Sequence, residues 1–556
     1  MARPHLLLIP GELRNYIYKD YLGAGHEGVN EYIYDYEANK LRTADNRPID
    51  LNLMYTCKVI AQEMHGLPLR LFTVSFSTLF SDSLRTRAAR WAYFNAQFDN
   101  RTGWPSVCEA LDRETVRQVV GEQSILLHTW YVGQDDARLH DYPAFDPAGW
   151  DQVPSVQRSL RAQLIQKVIA QGTGTTGWDP SQGSSGEEWN SRRNENEPDE
   201  EWDTRGGLAA FLDFVGEPWR IPTEDELDAI GARLPTRKLH MAAMTRDMWQ
   251  SHPGRFRFSA AAAAIHFLGS LPVSTRKLIT KIRLQEDQIS VAFPECHIRG
   301  LVPYCQENPA LRIERCASLW VNLFQIPYWD CVSCQYQSND FFIHDGEFGV
   351  VNFDLNFGGW YDSKDALCVR FASAPVAAWM AEAAHPEVPN TISLVLDGDP
   401  TPERSADVFR DAFQVDAAWQ IALERRWKKP HDLYRTRIYD SFEGWGWKAV
   451  NFPQLLRDLN KPSSRIRCNF DPGQPWDDER IEELIRNRER EEGDSVNSQY
   501  YAWSEGGDKE RFFYAHTFYE TASPLPTFFE LLGVNMKVRQ DETEWIPPWE
   551  PRDDQS

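Results

Sequence analysis

The chain of 556 residues is 42% hydrophobic and 25% charged, and its 82 acidic against 59 basic residues give a formal net charge of -23. This predicts a globular protein too long for a single core. The acidic balance argues against a nucleic-acid binder, which needs a basic stripe, and against docking on anionic membranes.

"LLLIP", Leu6 to Pro10, reads as an extended apolar lead-in, too short for a secretory leader. Pro10 then opens a helix to Leu22, with Leu13, Ile17 and Tyr21 at four-residue steps. "EYIYDYE" alternates Tyr32, Tyr34 and Tyr36 and predicts a strand in a hairpin. "LNLMYTCKVIAQEMHG" predicts one helix burying Leu53, Cys57, Ile60 and Met64 and ending at Gly66. "LFTVSFS" alternates Phe72, Val74 and Phe76 as a further strand, and "VQRSLRAQLIQKVIAQ" is helical.

Gly172 to Gly207 is rich in Gly, Ser, Asn and acid and offers almost nothing to bury, so it predicts a flexible linker. Beyond it, "RFRFS" alternates Phe256 and Phe258, and "AAAAAIHFLGSLP" is an Ala-driven helix stopped by Gly269 and Pro272. "LITKIRLQ" and "ALRIERCASLW" predict strands with the largely helical "PECHIRGLVPYCQEN" between them. Ile282 and Ile313 stand at the spacing of a parallel β-α-β crossover, near the upper period of a leucine-rich repeat. "TISLVLDGDP" is another buried strand, followed by the helix "SADVFRDAFQVDAAWQIALERRW". The expected fold class is multidomain α/β or α+β: a mixed helix and hairpin module at 1–95, a mostly helical extension at 96–171, the linker at 172–207, an irregular, repeat-like α/β domain at 208–480, and a charged helix with an extended tail at 481–556.

Chemistry is sparse. "GTGTTG" at Gly172 has the letters of a dinucleotide loop, but no strand precedes it and no helix follows. Cys331 and Cys334 have the spacing of half a zinc knuckle, with His344 ten residues on. A tetrahedral site needs four ligands, so unligated thiols are expected, and a zinc or cryptic enzymatic site is the alternative. His297 beside Glu295 and Cys296 reads as a surface or satisfied core histidine, and Asp345, Glu347 and Asp354 as turn residues around an aromatic strand. No catalytic residue, resident metal or cofactor is expected. The longest apolar run, "AAAAAIHFL", falls short of the ~20 residues needed to span a bilayer. Nine cysteines at no framework spacing suit reduced thiols in cytoplasm or nucleus.

The N-terminal segments resemble the F-box-like module of a large group of fungal proteins. Ile9, Pro10, Glu12, Leu13, Arg14, Ile17 and Tyr18 match its Leu-Pro-x-Glu-Leu-Arg-x-x-Ile-Tyr helix, and Thr56, Cys57, Lys58, Ile60 and Glu63 its second helix, with Lys in place of Arg. The resemblance implies that Ile9, Pro10, Leu13 and Ile17 fill an apolar groove on a Skp-type adaptor of a cullin ubiquitin ligase, while the rest of the chain presents a substrate. The expected function is therefore a non-catalytic, intracellular protein–protein interaction subunit. Two alternatives stand beside it. One is a binding module with no ubiquitin connection, carrying an exposed apolar patch on the block from Phe256 to Trp320; the other has the four N-terminal residues merely packing on their own fold.

Overall fold

The structure is a computed structural model that describes residues 5–23, 31–101, 111–120, 153–171, 217–232, 255–325, 343–344, 347–348, 366–427, 448–483, 518–526 and 531. Strands with period-two alternation form its centre. β1 (Glu31–Asp35), β2 (Lys40–Thr43), β3 (Thr73–Ser77), β4 (Lys281–Glu286), β5 (Arg312–Ser318), β6 (Ile392–Asp397) and β7 (Ile466–Cys468) make a seven-stranded sheet in the order β7-β6-β5-β4-β3-β1-β2. β1 and β2 are an antiparallel hairpin, and every other pairing is parallel. From β3 to β7 the spatial order follows the chain order, the winding used by stacked repeats.

Register explains the core. Tyr32, Val74, Ile282, Ile313 and Ile392 stand side by side across five strands, none more than 2% exposed. Each such aliphatic side chain contributes about 1.5–3 kcal/mol by leaving water. The spacing of Ile282 and Ile313 thus becomes a direct cross-strand pair. The Ala-rich helix Ala260–Ser270 covers this face, and the Ser259 hydroxyl caps it by accepting from the Ala262 N–H at 2.9 Å. Its five alanines are all buried, because only a methyl group leaves room for helix and sheet to approach. A second cluster gathers Trp320, Trp379, Trp419, Phe409 and Phe413, the last two rings stacked 3.9 Å apart. Buried Glu382 joins the helix Pro154–Gln171 to this body, accepting from the Ser155 hydroxyl at 2.8 Å and from Arg299 Nε at 3.3 Å.

Several local expectations are corrected. "LLLIP" is no extended lead-in; His5–Leu8 is a 3-10 turn. The single helix expected from Leu51 is two pieces, a 3-10 turn Asn52–Tyr55 and an α-helix Lys58–Met64, because Cys57 is fully extended between them. Gly66, at φ +68°, then turns the chain into the short helix Leu67–Leu71. The alternating "RFRFS" contributes only an isolated bridge, from Phe258 to Leu79. The sheet also runs across the expected boundary between 1–95 and 208–480, since β3 pairs directly with β4. The linker expected at 172–207 lies outside the described residues.

Both sheet edges are partly engaged by the chain itself. Beyond β2 the chain doubles back, so that Arg42 bridges Pro48 and the Thr43 N–H donates to the Arg47 carbonyl. Beyond β7, the Cys468 N–H donates to Asn460 Oδ1 at 2.8 Å. Among the described residues no helix is long and apolar enough to cross a membrane.

Candidate protein-docking site at the N-terminal helix

The first helix, α1 (Gly11–Tyr21), begins behind Pro10, whose φ of -51° suits a helix entry. At 3.6 residues per turn two stripes run along it side by side. Arg14, Tyr18 and Leu22 form one, and Leu13, Ile17 and Tyr21 the other. The first stripe faces inward, with Tyr18 fully buried. The second faces water: Leu13 is 52% and Ile17 39% exposed, and Tyr16 beside them is 69% exposed. Pro10 is exposed and Ile9 half-buried. Helices normally do the reverse and bury the aliphatic stripe.

A polar lock holds this orientation. Glu63, on α2 (Lys58–Met64), accepts from Arg14 Nε at 2.8 Å and from the Tyr18 hydroxyl at 2.7 Å, and its other oxygen pairs with Arg14 Nη2. Arg14 also donates through Nη1 to the Ile9 carbonyl at 2.5 Å, fixing the turn before α1. Two-point guanidinium–carboxylate contact sets direction as well as distance. The Arg14 hydrogen bonds, with that of Tyr18, bring the Glu63 carboxyl down to about 2. Burial, with Glu63 adding to it, pushes the Tyr18 phenol up to about 12, so it remains a donor. One turn before Glu63, Val59 is 44% exposed, and Tyr55 before it 81%. The apolar surface of α1 therefore continues onto its neighbour.

The polar letters Arg14, Tyr18 and Glu63 thus meet, whereas the apolar letters Leu13 and Ile17 are left outside. Arg14 and Tyr18 at i and i+4 were a visible signal, but Glu63 as their shared partner was not.

The His297 and Cys296 pair read from the sequence is buried. His297 is 1% exposed; its Nε2 lies 2.7 Å from the Ala292 carbonyl and its Nδ1 2.6 Å from Ser259 Oγ. Burial brings the imidazole down to about 3, so it is neutral, donating from Nε2 and accepting at Nδ1. Ser259 is fully buried and already serves as a helix cap, so the pair has no route to a substrate. Burial pushes the Cys296 thiol well up, away from a reactive thiolate.

Beside it, Arg315 donates to Glu286 Oε1 from Nε at 3.0 Å and from Nη2 at 2.8 Å, and its guanidinium lies 3.7 Å from the centre of the Trp379 ring. Glu286 in turn accepts from the Ala260 and Ala261 N–H groups at the positive end of the Ala-rich helix. A depression of about 320 Å³ on the hairpin, lined by Ile33, Tyr34 and the Asp35–Arg42 ion pair, holds no further charged group.

Cys331, Cys334, Asp345 and Asp354 lie outside the described residues, and His344 is seen only as part of the two-residue strand Ile343–His344. Among the described residues no three His, Cys, Asp or Glu side chains gather as metal ligands. The block from Phe256 to Trp320 buries Phe256, Phe258 and Trp320, leaving Val273 as its exposed large hydrophobic. No family model, curated protein or solved structure matches the chain.

Proposed function

We propose that the protein is a non-catalytic interaction subunit that seats α1 in an apolar groove of a Skp-type adaptor, and so acts as an F-box-like substrate-recognition subunit of a cullin ubiquitin ligase in cytoplasm or nucleus. The supporting observation is the inverted helix: Leu13 and Ile17 stand in water while Arg14 and Tyr18 are tied to Glu63. Exposed aliphatic side chains on a rigidly held helix suit a groove-binding peptide mode, because little conformational freedom is lost when they dock. The groove would take Leu13 and Ile17 as anchors, with Pro10 and Ile9 at its rim.

The test is capture of a purified Skp-type adaptor by the full chain. Leu13→Ala with Ile17→Ala is expected to weaken capture by tenfold or more, since central interface anchors are worth about 2 kcal/mol or more each. The same exposed substitutions should shift stability by less than about 0.5 kcal/mol. Absence of capture by the wild-type chain would remove the ubiquitin role. Capture unaffected by both substitutions would remove α1 as the handle.

A further inference from the structure

Among the described residues the helices pack against one face of the sheet and leave part of the other exposed. Arg283 lies in the middle of β4, the fourth of seven strands, yet its side chain is 43% exposed. Along its row charges are neutralised: Arg283 lies 3.8 Å from Glu31 and 3.1 Å from Glu314.

The neighbouring row is different. Lys281 and Arg312 are direct register partners on β4 and β5, and both are exposed. Adjacent strands are ~5 Å apart, and like charges directly opposite one another destabilise a sheet. No described carboxylate forms an ion pair with either residue. Arg312 engages only backbone, through Nη1 to the Pro309 carbonyl at 2.7 Å and the Leu311 carbonyl at 3.2 Å. Exposed Arg70, in the short helix before β3, lies near this end in the backbone, its carbonyl accepting from the Thr280 hydroxyl at 2.9 Å. On a chain of net charge -23, a pair of like charges across the starts of two neighbouring strands, with no described carboxylate against either, suits an anionic occupant.

We propose that this end of the open sheet face binds an acidic, extended peptide segment whose carboxylates neutralise Lys281 and Arg312. A peptide is favoured over nucleic acid because two adjacent cations match a few carboxylates, whereas a polyphosphate backbone needs a longer basic stripe. The proposal stands independently of α1, which lies outside the sheet.

The test uses the full chain and a fluorescein-labelled peptide of alternating Glu and Ser, about ten residues long and so more than able to cross both strands, followed by anisotropy at low salt. Lys281→Glu with Arg312→Glu is expected to weaken binding about tenfold or more, and Arg312→Gln alone by about threefold. Arg312→Glu alone turns a repelling pair into an attracting one and should raise the thermal midpoint by about 1–2 °C while binding falls. Undiminished binding by the double variant would overturn the proposal. So would equal binding of a Gln-Ser peptide, or tighter binding of an oligothymidine of equal charge. Adaptor capture should be unchanged in all these variants, which separates this result from that of α1.

Discussion

Two helices of this chain treat apolar side chains in opposite ways. The Ala-rich helix Ala260–Ser270 buries every one of its five alanines, and its polar start is capped by Ser259 and the buried Glu286. The α1 helix turns Arg14 and Tyr18 inward and leaves Leu13 and Ile17 in water. The first spends its apolar surface on the fold, and its neighbours are sensitive to volume and charge. The second keeps its apolar surface available, and only its polar side is fastened. Apolar periodicity in a helix therefore shows that a stripe exists, not which way it points.

The sharpest contrast is expected where charge is buried against the Ala-rich helix. Arg315→Met leaves Glu286, which is fully buried, with no countercharge. The cost is about 3–5 kcal/mol, read from the midpoint of urea unfolding. A loss under about 1 kcal/mol would mean that the helix N-terminus alone sustains that carboxylate.

Next in size is a change of volume on the same side. A Cβ at Gly300 would lie 2.6 Å from both Ile265 Cδ1 and Trp219 Cδ1. Gly300→Ala should destabilise by about 1–3 kcal/mol through overpacking, measured in the same way. A neutral result would show that the Trp219 ring can swing clear.

The smallest effect belongs to the α1 lock and depends on pH. Glu63 is held at about 2 against an ordinary value of 4.5. Because the folded value is depressed, the lock contributes fully above about 4.5 and is lost as pH falls towards 2. The difference in thermal midpoint between wild type and Glu63→Gln should therefore be largest above pH 4.5 and vanish near pH 2. A constant difference across that range would assign the effect to packing.

The sheet was largely legible because its strands alternate. Val74 and Phe76, Ile282 and Leu284, Ile392 and Leu394 each place hydrophobes at every second residue, and all of them are buried. The crossover spacing of Ile282 and Ile313 survived as a register pair. The inward Arg315 did not stand out, since "RIER" carries charge on both faces and its partner Glu286 is 29 residues away. For α1 the two stripes are about 100° apart and each contains apolar residues, so periodicity could not choose between them. The choice was made by Glu63, a contact 49 residues distant in sequence from Arg14. The break at Cys57 was hidden for a similar reason, since nothing in "YTCK" forbids a helix.

The finished ends of the sheet reach beyond the single molecule. The chain's own turn at 44–48 on one flank, and Asn460 on the other, occupy part of the row of N–H and C=O groups that an edge strand would offer to a second copy. Side-by-side stacking of copies into fibrils by strand addition is thereby discouraged at both flanks. The two proposed partners would both be received through side chains, on α1 or on the exposed sheet face, and not by lengthening the sheet.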